Sequence, residues 1–174
     1  MKKSQFVSTL VTLLIFASSA IAQDKRHDNT LVKFKGGIGA IPISNVAVDA
    51  TTGAITVNRN MVRGVNSPGQ IWTIKDLEAR IRLNGDIKVE GNGLVLAGGN
   101  SIGRATGQSV FATLFCGTIE HSTTTTGVPL ATDGDFKIDD VLVPTPPTDC
   151  ADPVLLIRTA GSGNWFAAGI PDLD

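Results

Sequence analysis

Leu77-Glu78-Ala79-Arg80-Ile81-Arg82-Leu83, followed by Asn84-Gly85 and then by Ile87 and Val89, is the stretch that decides the fold. Leu77, Ala79, Ile81 and Leu83 alternate with Glu78, Arg80 and Arg82. An extended chain therefore puts the apolar side chains on one face and the charges on the other. A helix would scatter the same residues around its circumference. Asn84-Gly85 suits a type I′ hairpin turn, whose two central residues both need positive φ. Ile87 and Val89 carry the alternation back. Asn92-Gly93 then offers a second turn into residues 94–97, so the region predicts a three-stranded antiparallel meander with one wet face.

The same grammar of strand and turn runs outward in both directions. Residues 31–34 read as a short strand ended by Gly36-Gly37. Residues 41–48 and 54–57 flank the turn at 49–53 and predict a hairpin, with Pro42 placing it at an edge or a bulge. Residues 110–116 are almost wholly apolar and predict a central strand buried on both faces, with Cys116 on the same side as Val110, Ala112 and Leu114. Asp133-Gly134 turns residues 128–131 back into 136–141. Pro144-Thr145-Pro146-Pro147 is a stiff, extended connector. Residues 154–157 and 165–168 are two further strands joined by Ser162-Gly163-Asn164. No stretch carries a capped helical period, and no internal repeat is present. The expectation is an all-β antiparallel sandwich of roughly ten short strands, with a β-barrel as the alternative.

The N-terminus has a different character. Lys2 and Lys3 precede an apolar core at residues 6–17, and Ala20-Ile21-Ala22 supplies small residues where a signal peptidase reads. Residues 1–22 are expected to be a cleaved export signal, residues 23–29 a polar, flexible lead-in, and residues 30–171 a single β domain. The apolar run is too short for a permanent membrane span. Removing Lys2 and Lys3 from the 15 basic residues leaves 13 against 16 acidic, a formal charge of −3. Such a mixed, mildly acidic chain has neither the basic footprint of a nucleic-acid binder nor a polybasic segment for anionic lipid. Cys116 and Cys150 are the two cysteines. In an exported chain they are expected to pair as a structural staple, since the close Cys-x-x-Cys spacing of a reactive thiol pair is absent.

Four groups of residues invite a chemical reading. Gly99-Asn100-Ser101-Ile102-Gly103 matches the G-x-S-x-G nucleophile elbow, but that elbow must open a helix, and Gly107 with an early return to strand fits a glycine-rich loop better. Asp133, Asp135, Asp139 and Asp140 are a carboxylate cluster of the kind that can hold Ca²⁺, without the ligand order of an EF-hand. His121 is one of two histidines, the other being His27 in the lead-in, too few for a transition-metal site by themselves. Trp72 follows the Asn66-Ser67-Pro68-Gly69 loop and is the candidate for an exposed stacking surface, whereas Trp165 sits beside Phe166 in an apolar strand, where one of the two is expected in the core. The remaining glycine clusters lack both the third spaced glycine of a dinucleotide site and the lysine of a P-loop.

The functional expectation is an exported, non-enzymatic binding or structural domain, periplasmic or extracellular, with contacts carried on loops. No cofactor and no resident metal is expected. The sequence leaves the partner unknown; a small-molecule or a protein ligand is compatible with it. The loops at residues 66–70 with Trp72, 98–107 and 120–127 are the surfaces to watch. The alternatives are a small hydrolase using His121 with Asp133 or Asp135, and a calcium-stabilised domain.

Overall fold

The computed structural model describes residues 29–173. The export signal expected over residues 1–22, and all but the last residue of the polar lead-in, lie outside the described residues. Fifteen strands and no helix are found among those described. They are β1 (Thr30–Gly39), β2 (Ile43–Val48), β3 (Ile55–Arg59), β4 (Met61–Val62), β5 (Val65–Asn66), β6 (Trp72–Thr73), β7 (Asp76–Arg82) and β8 (Asp86–Asn92). β9 (Val95–Leu96), β10 (Ser109–Cys116), β11 (Ile119–Ser122), β12 (Val128–Pro129), β13 (Phe136–Val141), β14 (Val154–Thr159) and β15 (Trp165–Pro171) complete the order.

Nine of these strands form one antiparallel sheet in the order β11-β10-β14-β15-β1-β7-β8-β13, with β12 sharing an edge of β10 with β11. The sheet curls until its ends meet. Ser122 at the end of β11 bridges Val143 just beyond β13. The result is a nearly closed barrel, the second of the two all-β architectures that the sequence allowed. Closure removes most of the unpaired backbone that an open sheet would leave at its edges.

The β7–β8 hairpin has the register expected from the alternation, with Ala79 opposite Val89 and Ile81 opposite Ile87. Leu77, Ile81 and Ile87 are completely buried. On the other face, Lys88 pairs with Asp139 and Lys137 with Glu90, each at 2.8 Å and largely in water. Such exposed cross-strand pairs contribute little to stability but keep the face wet. The third strand of the meander is not residues 94–97. β8 is followed in the sheet by β13, while β9 leaves to pair with β6. Gly134 explains the departure: its carbonyl accepts from Leu94 N–H, and a Cβ there would lie 2.4 Å from Leu94 O. Residues 128–131 also differ from expectation. They pair with β10 rather than with β13, although Asp133-Gly134 does reverse the chain, with Gly134 N–H donating to Ala131 O and Ala131 N–H to Asp135 O.

β1 also corrects the sequence reading, running through Gly36-Gly37 to Gly39 with a register shift between Phe34 and Gly37. A Cβ at Gly39 would lie 2.1 Å from Trp72 O. Glycine here allows β1 to touch β6, which positions the site described below.

β10 is buried along its whole apolar length, as its composition requires. Cys116 at its end is bonded to Cys150 with a Cα–Cα distance of 4.7 Å, tying this central strand to the loop that enters β14.

The β2–β3 hairpin behaves differently. It makes its ladder only with itself, and all eleven of its strand residues are exposed. It is an arm carried on the barrel, joined at its base by Asn60 N–H to Pro42 O.

Candidate functional site

Two of the three loops singled out from the sequence converge. Trp72 and Leu96 face each other in the β6–β9 pair, and the Ala97 N–H to Ile71 O bond extends that pairing by one residue. This brings the 66–70 loop, which precedes β6, against the 97–107 loop, which follows β9. They touch where a Cβ on Gly99 would lie 3.6 Å from Gln70 Oε1. Between them is a cleft of about 430 Å³, with Trp72, Leu96 and Pro68 at its floor and Gln70, Asn100, Ser101 and Thr106 around it.

Each wall is held locally. Ser67 is fully buried: its Oγ donates to Pro42 O at 2.8 Å and its N–H to Asn60 O at 2.9 Å. Arg59 Nη2 donates to Ser67 O at 2.6 Å. The opposite loop is closed by Gly103 N–H to Leu96 O and Leu96 N–H to Arg104 O. Buried Ala105 anchors it. Thr106 has φ of 55°, a left-handed conformation that a β-branched side chain adopts only at a cost.

Trp72 is the principal correction to the sequence reading. It is 5 % exposed, and its ring stacks on Phe166 with centroids 4.0 Å apart. Its backbone N–H donates to Ala40 O. Three segments distant in sequence, at residues 40, 96 and 166, thus enclose a residue that local composition placed at a loop margin. Trp72 lines the cleft as a nearly buried residue and not as an exposed stacking surface. Trp165 and Phe166 are both core. The Gly99–Gly103 motif is followed by turns and not by a helix, so Ser101 lines the cleft without the geometry of a nucleophile elbow.

The remaining candidates are dispersed. His121 is 2 % exposed on β11. Its Nδ1 lies 2.7 Å from Pro144 O; a carbonyl only accepts, so Nδ1 carries the proton. Its Nε2 is buried without a hydrogen-bond partner. Neither Asp133 nor Asp135 bonds to this ring. Asp133 Oδ1 accepts from Asp135 N–H at 3.3 Å, and Asp135 Oδ1 accepts from Gly93 N–H at 2.9 Å. Asp139 points outward to Lys88. Asp140 Oδ2 accepts from Thr124 N–H at 2.9 Å, which is the main reason its carboxyl titrates below the usual range. Asp133 and Asp135 thus shape one turn, while Asp139 and Asp140 serve two separate local contacts. Among the described residues no three His, Cys, Asp or Glu side chains are grouped so as to hold a metal ion, and no helix is long and apolar enough to cross a membrane.

The cleft is consequently a neutral site. Its rim offers two side-chain amides and two hydroxyls, which both donate and accept hydrogen bonds, over an apolar floor. Sequence reasoning found both loops but missed Leu96 and the left-handed Thr106, which no local pattern marks. Comparison with protein-family models, with curated proteins and with solved structures finds no match for the chain.

Proposed function

We propose that this chain is an exported, non-enzymatic barrel domain that binds an uncharged ligand group in the cleft between the 66–70 and 97–107 loops. The observation that carries the reading is the convergence of these two loops over Trp72 and Leu96. The volume falls within the range of small-molecule sites, and the combination of apolar floor and a few oriented polar groups is what such sites use. None of the side chains around it titrates near neutral pH, so they suit orientation by hydrogen bonds better than acid–base chemistry. The strained Thr106 supports the same reading, since backbone outliers of this kind gather at ligand sites. The signal-like N-terminus and the Cys116–Cys150 bond support export, because such bonds persist in oxidising compartments.

The test is amide chemical-shift mapping of the disulfide-bonded chain against a library of neutral and charged small molecules. Neutral members should shift Gln70, Asn100, Ser101 and Thr106 together. Shifts centred on another surface, or selection of charged members only, would overturn the reading.

A further inference from the structure

The 66–70 and 97–107 loops are built almost wholly from uncharged residues. Arg104 is the single charge in either, and it lines a separate cavity with Ile102 and Asp133. No charged side chain lines the cleft between the loops. A phosphate, carboxylate or ammonium group would leave its water there without compensation.

The polar side chains of the cleft are unengaged. Elsewhere on this surface such groups are taken up by their own chain. Asn84 donates to Asp86 through Nδ2 and accepts from its N–H through Oδ1, and Asp49 Oδ1 accepts from Thr51 and Thr52 N–H. Among the described residues, none hydrogen-bonds to the side chains of Gln70, Asn100, Ser101 or Thr106. All four both donate and accept. Each of the two amides sets an NH2 beside a C=O, which answers two neighbouring hydroxyls, one accepting and one donating.

The floor narrows the choice of ligand. Trp72 and Leu96 are only 5 % and 6 % exposed, so they offer little area to a ligand held by apolar burial. Nor is a strand edge left for a peptide to extend. β6 has β9 on one side, and on the other Trp72 N–H donates to Ala40 O. The far side of β9 is taken by Leu96 N–H to Arg104 O and Gly103 N–H to Leu96 O. The ligand is therefore recognised chiefly at the rim, with a thin apolar strip beneath it. A sugar ring meets both conditions, with hydroxyls around its edge and C–H groups on its face.

We propose that the uncharged group held in the cleft is a neutral sugar, bound through neighbouring hydroxyls by Gln70 and Asn100 and oriented by Ser101 and Thr106. The assignment rests on the cleft being the ligand site proposed above.

The experiment is amide chemical-shift titration of the intact, disulfide-bonded chain with glucose, galactose, mannose, N-acetylglucosamine, maltotriose and cellotriose. Each is taken to about 50 mM, because a site resting on a few hydrogen bonds binds on the order of 1 mM. Cyclohexanol and N-methylacetamide, an apolar alcohol and a peptide group, are the comparison probes. At least one neutral sugar should shift Gln70, Asn100, Ser101 and Thr106 together and saturate. Tighter binding of a trisaccharide than of glucose would identify the end of a glycan, and equal binding a free sugar ring; either supports the assignment. Gln70→Ala with Asn100→Ala should abolish the response and leave the thermal melt unchanged, since neither side chain has a partner in the chain to lose. Asn100→Asp, which keeps the shape but neither donor, should weaken the best sugar about fivefold or more. Shifts at the four residues from cyclohexanol or N-methylacetamide, with none from any sugar, would overturn the sugar assignment and leave the cleft a ligand site. No response there from any probe would overturn both. A double variant that binds sugar like the parent would place the sugar elsewhere and overturn the assignment.

Discussion

Ser122 and Val143 exchange both backbone hydrogen bonds, at 3.0 and 2.9 Å, and this one bridge joins the two ends of the barrel sheet. Val143 is 72 % exposed, so its backbone and not its side chain makes the closure. Val143→Pro removes the donor and should cost about 1–3 kcal/mol. Val143→Ala should stay within about 0.5 kcal/mol. Urea unfolding of both variants, with hydrogen exchange at Ser122, checks the difference. Equal costs would mean that the ends are not joined here.

Ile81 and Arg82 are neighbours on β7 with opposite fates. Ile81 is fully buried, while Arg82 reaches Asp86 at 3.6 Å with both side chains about 40 % exposed. Ile81→Asp leaves an unpaired carboxylate in the core and should cost more than about 4 kcal/mol or prevent folding. Arg82→Asp exchanges a weak surface attraction for a weak repulsion, about 0.5–1 kcal/mol. Similar thermal shifts for the two would show the register to be wrong.

The Cys116–Cys150 bond closes a loop with a sequence separation of 34, worth about 4 kcal/mol by the chain-entropy relation. Alkylation of the denatured, unreduced chain should detect no free thiol. Cys116→Ser with Cys150→Ser should lower the urea midpoint accordingly.

Asp140 makes part of the stability pH-dependent. Thr124 N–H is the largest cause of its lowered pKa, and partial burial opposes it. A carboxyl whose folded value lies below its unfolded one stabilises the fold at pH values above the unfolded value, about 3.9. That contribution disappears as the pH falls through the folded value. The parent should therefore exceed Asp140→Asn in urea midpoint by a constant amount from pH 7 to about 5, with the gap narrowing below about pH 4. A gap that persists at pH 2 would assign the effect to shape and not to charge.

Thr106 pays for its left-handed φ. Thr106→Gly should hold or raise the melting point, by up to about 1 kcal/mol of added stability, while weakening any ligand found in the cleft. A clear loss of stability would mean that the Thr106 side chain supports the loop.

Much of the fold was legible in the sequence because strand formation is local. The alternation at residues 77–89, the Asn84-Gly85 turn, the apolar run of β10 and the hairpin around 49–53 each follow from side-chain period and turn chemistry over a few residues. The pairing of the two cysteines was expected from their even number together with the signal-like N-terminus. What period cannot encode is which strand lies beside which. β9 pairs with β6 and β12 with β10 through backbone hydrogen bonds that any residue can make, so no side-chain signal distinguished them from the hairpins expected at those places. Trp72 is buried by segments at residues 40, 96 and 166, and burial by distant chain leaves no mark in its own neighbourhood. The arm is the converse case. Its alternation is that of a half-buried strand, and only the tertiary structure shows that nothing within the described chain covers it. The sequence alone thus determined the all-β class, the principal turns and the disulfide, which local chemistry specifies. Tertiary structure alone decided barrel over sandwich, the meeting of two loops in a neutral cleft and the exposure of the arm, because all three depend on contacts between residues far apart in the chain.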